Sequence, residues 1–162
     1  MQIEMKIRGL MVDPSTNMPI VILKDANSEA LLPIWVGLFE ARAIAMEIEK
    51  ASGPRPMTHD LLKNIVDGLN GRLQRIVVSE LRDDTFYAVV WMEQDGEAVA
   101  VDARPSDALA LALRADCPIF VEEEVLRTAK VLPNPAEAAA ESPELRRWLE
   151  GLGDEDLGKY KM

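Results

Sequence analysis

The run Val101-Asp102-Ala103-Arg104-Pro105-Ser106-Asp107-Ala108-Leu109-Ala110-Leu111-Ala112-Leu113-Arg114 reads as the end of a strand, a tight turn and the start of a strongly apolar helix. The Ala/Leu face runs almost all the way round from Ser106 to Arg114, which predicts a helix buried between layers. Two carboxylates, an arginine and a hydroxyl crowd the junction itself. A related junction stands earlier, at Arg55-Pro56-Met57-Thr58-His59-Asp60. Both put Arg-Pro just outside a helix, a hydroxyl at the expected N-cap and an aspartate in the first turn.

Outward from these junctions the pattern alternates between strands and helices. Ile3, Met5 and Ile7 alternate with polar residues as a half-buried strand does, Gly9 marks a bulge, and apolar character resumes from Leu10 to Val12. Asp13 to Asn17 is a turn cluster, and strands are expected over Pro19–Lys24 and Ala30–Val36. A helix follows from Leu38 to about Ala51, with Phe39, Ala43, Ile44, Met46 and Ile48 as its buried stripe. The second helix, Thr58 to about Leu69, has Leu61, Leu62, Ile65, Val66 and Leu69 on its apolar face. Strands Arg72–Leu81, Thr85–Glu93 and Ala98–Asp102 are joined by the turns at Arg82-Asp83-Asp84 and Gln94-Asp95-Gly96-Glu97. Asp116-Cys117-Pro118 breaks the apolar helix, Ile119-Phe120-Val121 is a short strand, and Glu122 to Leu126 forms a last helical turn. The sum is an α+β fold: a mostly antiparallel or mixed twisted sheet with inserted helices in one domain over residues 1–130. Residues 131–162 read as a linker and a short helix starting at Ser142-Pro143-Glu144, too short to stand alone and expected to dock.

Composition narrows the function. The 162 residues carry 28 acidic and 18 basic side chains, a net charge of −10 spread along the chain. That argues against tight non-specific binding to nucleic acid, which depends on Lys and Arg neutralising phosphates. Aromatic residues make up only 5%, so aliphatic side chains and methionine must fill the core. Trp35 and Trp91 on strands read as core or interface residues rather than base-stacking platforms. Met5, Met11, Met18 and Met46 read as gap-fillers, and Glu122-Glu123-Glu124 as a solvated rim. There is no apolar run long enough for a membrane span. A single cysteine, Cys117, cannot form an internal disulfide and reads as a small buried residue, so a cytoplasmic location is expected.

Three blocks carry a resemblance: Leu32-Pro33-Ile34-Trp35-Val36-Gly37 with Glu40-Ala41; Arg55-Pro56-Met57-Thr58-His59-Asp60-Leu61; and Asp102-Ala103-Arg104-Pro105-Ser106-Asp107-Ala108 with Pro118-Ile119-Phe120-Val121. Taken together and in this order, they resemble the bifunctional nuclease family over about residues 1–130. The resemblance implies a self-associating α+β fold and cleavage of both DNA and RNA, assisted by a divalent cation; the apolar content and the tail helix make a homodimer the expected assembly.

Phosphodiester hydrolysis needs an activated water, compensation of the phosphate charge and a stabilised leaving oxygen. Asp102, Asp107 and Glu40 are the candidate ligands for a Mg²⁺ or Mn²⁺ ion, which prefers hard oxygen donors. His59, the one histidine, suits general acid–base work, with Asp60 and Asp107 beside it. Arg55, Arg104, Thr58 and Ser106 are the candidate phosphate contacts at two helix N-termini. Each junction also has a purely structural reading: Thr58 and Ser106 as N-caps, the aspartates as dipole partners, Arg104 paired with Asp107 or Asp102, and Arg55 paired with Asp60. An alternative function is a non-catalytic oligomeric module that holds an anionic ligand or partner at the two Arg-Pro helix starts.

Overall fold

A computed structural model describes residues 1–131, with side chains through Ala129. The expected linker and docking helix lie outside the described residues. Element order is β1 (Gln2–Val12), β2 (Pro19–Asp25), β3 (Leu31–Trp35), α1 (Leu38–Ile48), α2 (Thr58–Gly68), β4 (Gly71–Arg82), β5 (Thr85–Gln94), β6 (Glu97–Ala103), α3 (Pro105–Ala115), β7 (Ile119–Glu122) and α4 (Glu123–Val131). All seven strands form one mixed sheet in the order β3-β2-β1-β7-β4-β5-β6.

Local chemistry explains most of the connections. The β4–β5 turn puts Asp83 and Asp84 at positive φ, and the β5–β6 turn does the same with Asp95 and Gly96. Two such residues in a two-residue loop match the twist of the flanking strands. In β1 the pairing with β2 jumps between Ile7 and Gly9. The extra residue reverses the alternation, so Ile7 opposite Leu23 and Leu10 opposite Val21 both point into the core. Asp116 closes α3 in the left-handed conformation, which lets Pro118 follow and starts β7.

β7 returns to the middle of the sheet, antiparallel to β1 and parallel to β4. β4 and β6 are both antiparallel to β5, so β6–α3–β7 is a parallel crossover that carries α3 across β5 and β4. Ala108, Leu109, Ala110 and Ala112 of α3 are fully enclosed, as the Ala/Leu run predicts. They join Ile44 of α1 and the sheet residues Leu23, Ile34, Ile76, Val78, Ala88 and Val90 in one core cluster.

The helices differ from expectation in three places. α1 buries Ala41 and Ile44, whereas Phe39 is 84% exposed. Phe39 sits in the first turn, ahead of the stretch that lies over the sheet. Leu61, Leu62 and Ile65 of α2 and Leu69 just after it are exposed, Val66 is half-buried against the core, and the one buried residue of that helix is His59. The expected last turn is a complete nine-residue helix, α4, whose Val125 and Leu126 enter the core.

Candidate functional site

The third residue of each of the first three helices is acidic: Glu40 in α1, Asp60 in α2 and Asp107 in α3. At that position a carboxylate faces the partial positive charge of the helix N-terminus. The fold brings these helix starts together beyond the C-terminal end of β6. Pro105 occupies the first helical position of α3 and lacks an N–H, and a residue before proline is driven to extended backbone. Arg104 therefore becomes the N-cap of α3, and Met57 takes that place in α2. The expected capping roles of Thr58 and Ser106 are corrected accordingly. Thr58 is the first residue of α2, Ser106 is the buried second residue of α3, and neither helix has a side-chain cap of its N-cap residue. Asp60 supplies the reciprocal contact instead, accepting the Met57 N–H at 2.9 Å.

A continuous polar chain runs through the site. Glu40 Oε1 accepts from Arg104 Nη2 at 2.6 Å, and Arg104 Nε donates to Asp107 Oδ2 at 2.9 Å. The other oxygen of Asp107, Oδ1, lies 2.8 Å from His59 Nε2. An ionised carboxylate has no donor, so the Nε2–H of His59 donates to it. The two carboxylates hold the Arg104 guanidinium above its ordinary pKa, the Asp107 contact contributing more than that of Glu40. Arg104 is nevertheless 66% exposed, and its Nη1 has no protein partner among the described residues.

A second polar knot lies behind the first. Arg114, whose side chain is 5% exposed, donates from Nε to Asp60 Oδ1 at 2.7 Å. Its remaining nitrogens reach the carbonyl oxygens of Ala110 at 2.9 Å and Ala43 at 3.1 Å. A buried guanidinium is tolerated only with its donors engaged, and here three helices engage them. The expected Arg55–Asp60 pair is therefore replaced by Arg114–Asp60.

Both knots border a cavity of about 860 Å³ between α1, α2, α3 and the β5–β6 edge. Glu40, His59, Arg104, Asp107 and Arg114 line one part of it, and Met46, Ile65, Val90 and Met92 are among its apolar walls. Thr58 also borders the cavity, whereas Arg55 and Ser106 do not. The two Arg-Pro junctions thus meet, but through His59 and Asp107 rather than through their arginines.

The expected metal set does not assemble. Among the described residues no three His, Cys, Asp or Glu side chains are grouped so as to hold a metal ion. Glu40 and Asp107 do come together, but the Arg104 guanidinium fills the position between them that a cation would take. Asp102 pairs with Val89, one position out of step with Val101–Val90 and Ala103–Ala88. Asp102 is among the residues bordering the cavity, but alternation sets its side chain on the sheet face opposite Val101 and Ala103, and it has no place in the chain of contacts from Glu40 to His59. Arg42 and Arg114 are the charged cavity residues that sequence reasoning missed. The one signal for Arg114 is a charge at the end of an otherwise apolar helix.

Trp35 is half exposed and donates to Asp13 Oδ2 at 3.3 Å. Trp91 lies under the Arg75 guanidinium, 5.4 Å from ring centroid to Cζ. Burial raises the pKa of the Cys117 thiol, which disfavours the nucleophilic thiolate. No helix among the described residues is long and apolar enough to cross a membrane.

Residues 21–134 match the model of the bifunctional nuclease domain. An uncharacterised protein of Mycobacterium tuberculosis is 40% identical over 129 residues, 80% of this chain and 77% of its own length. Bifunctional nuclease 1 of Oryza sativa subsp. indica is 24% identical over 140 residues, 83% of this chain and 42% of the relative. Bifunctional nuclease 1 of Arabidopsis thaliana is 25% identical over 118 residues, 71% of this chain and 36% of the relative. The chain is matched to less than half the length of these two plant relatives.

Proposed function

The chain belongs to the bifunctional nuclease domain family, and on that premise we propose that it is a phosphodiester hydrolase of low sequence specificity acting on DNA and RNA. The observation that carries this reading is the 2.8 Å pair of His59 and Asp107 at the cavity wall, with an oriented arginine beside it. Asp107 holds the Nε2–H tautomer of His59, which leaves the Nδ1 lone pair to take a proton from an attacking water. Asp107 also stabilises the imidazolium that results. Nε and Nη2 of Arg104 are held by two carboxylates, so its exposed Nη1 can meet a phosphate oxygen in a set direction. The same test reads out divalent-cation dependence, for which the described residues assemble no ligand set.

The binding-module alternative gains nothing from this geometry. It needs both Arg-Pro helix starts to hold one anion, and Arg104 borders the cavity whereas Arg55 stands outside it. A cytoplasmic setting is supported by the single thiol, which needs no oxidising compartment. Self-association is supported by the exposed apolar side chains Leu38, Phe39, Leu61 and Leu69.

The test is cleavage of single-stranded DNA, duplex DNA and RNA with Mg²⁺, Mn²⁺ or EDTA, comparing the native chain with His59→Ala and Asp107→Asn. Loss of the general base is expected to lower turnover by about 10²–10⁴-fold. Turnover unchanged in His59→Ala would remove the proposed role. No cleavage by the native chain under any condition would remove the nuclease reading.

A further inference from the structure

α2 carries the proposed base but is only partly held by its own apolar face. His59 is its one buried residue and Val66 packs against the core, while Leu61 is exposed and Leu62 and Ile65, also exposed, border the cavity. Two polar contacts pin its first turn to α3: His59 to Asp107, and Asp60 to Arg114. The first of these includes the group that would exchange a proton, so its strength changes during turnover. The second has no such weakness. The guanidinium stays charged throughout, and the Met57 N–H and Arg114 hold the Asp60 carboxylate ionised. Arg114 is itself anchored, because the carbonyl oxygens of Ala43 and Ala110 fix it to α1 and α3 at once.

We propose that Arg114 is a positioning residue: by clamping Asp60 it fixes the first turn of α2 so that His59 stays on Asp107 while the imidazole gains and loses its proton. The proposal rests on the nuclease reading for its kinetic consequence but not for its structural one. His59 is the only histidine in the chain, so its ring nitrogens can be observed without ambiguity.

The test compares the native chain with Arg114→Met, Arg114→Lys and Asp60→Asn in two measurements. The first is the long-range ¹H–¹⁵N spectrum of the His59 ring at alkaline pH, with no substrate present. The native chain is expected to show one tautomer, protonated on Nε2. Arg114→Met is expected to show a mixture of both, because the ring is no longer held against Asp107. The second measurement is kcat and KM on a short oligonucleotide. A base displaced by about 1 Å costs about 100-fold in rate, so kcat of Arg114→Met should fall by about that factor. KM should stay within about twofold, because Arg114 itself holds no substrate. Arg114→Lys keeps the charge but cannot reach Asp60 and both carbonyls together, and is expected to recover kcat to within about tenfold of native. A merely structural role would not separate kcat from KM, nor be rescued by lysine.

A single Nε2–H tautomer in folded Arg114→Met, or native kcat in that variant, would overturn the proposal. If Arg114→Met does not fold, Asp60→Asn carries the test. Mixed tautomers are expected there, and a single one would overturn the proposal. If the native chain does not cleave, the nuclease reading fails while the tautomer comparison still decides the positioning role.

Discussion

Asp60 sits below the ordinary carboxylate range because the Met57 N–H and then the Arg114 guanidinium favour its ionised form. Its folded value is lower than its unfolded one, so its contribution to stability is present at neutral pH. That contribution is lost as pH falls below the ordinary value of 3.8 toward the folded one. Asp60→Asn should therefore be less stable than the native chain at pH 7, with the difference narrowing below about pH 4. Urea titrations at pH 7 and at the acid end would show this, and a difference independent of pH would refute it. Gly37 is a second point of leverage. Its backbone is ordinary extended chain, but a Cβ there would press on the Glu40 carboxylate that holds Arg104. Gly37→Ala and Glu40→Gln should each slow cleavage by about tenfold, or about 1.4 kcal/mol, and the double variant by little more than either alone. Fully additive losses would mean that Gly37 acts elsewhere. Glu40, His59, Arg104 and Asp107 were legible as candidates because chemistry-bearing side chains at helix starts stand out in a sequence. Arg114 was not, because what marks it is its partners on α2 and α1, 54 and 71 residues away.

At the scale of elements, the hydrophobic period of α2 told truly that one face is apolar but not what lies against it. Periodicity reports which side chains share a face, and burial depends on where the helix is set down. The strand pairs were easier to read, since the turns at Asp83-Asp84 and Asp95-Gly96 are local and their residue types tolerate positive φ. α4 was read short because it runs on past Leu126 to Val131 through Arg127-Thr128-Ala129-Lys130, where few apolar side chains mark a buried face. The open face of α2 makes a direct prediction for the chain at concentrations where it is monomeric. Leu61→Lys should change unfolding free energy by no more than about 0.5 kcal/mol, as exposed substitutions do. Leu109→Ala, inside the sheet-facing side of α3, should cost about 2–5 kcal/mol. A loss of several kcal/mol at Leu61 would show that this face is covered in the folded chain.

The whole molecule depends on pairings that no local signal announces. β7 reaches the middle of the sheet from the end of the described chain, pairing Gln2 with Glu122 and Ile76 with Ile119. Turn chemistry and strand propensity fix neighbours in sequence, whereas this insertion follows from the crossover of α3 and the burial it achieves. That same return brings the three helix starts together, so the site exists only once the sheet is complete. Its electrostatics are then those of an acidic molecule. The net charge is −10, and of the arginines lining the cavity Arg104 and Arg114 are already paired with carboxylates. Substrate should therefore be held by one or two phosphate contacts rather than by a basic groove. For a single strand each neutralised phosphate contributes about −0.7 to the slope of log affinity against log salt. Binding of a short single-stranded oligonucleotide to His59→Ala, titrated between about 50 and 200 mM salt, should give a slope between about −0.7 and −1.4. Affinity would then fall by less than about tenfold over that range. A slope steeper than about −4 would mean that the strand lies along a basic surface away from the cavity, and the polar chain from Glu40 to His59 would not be where substrate is held.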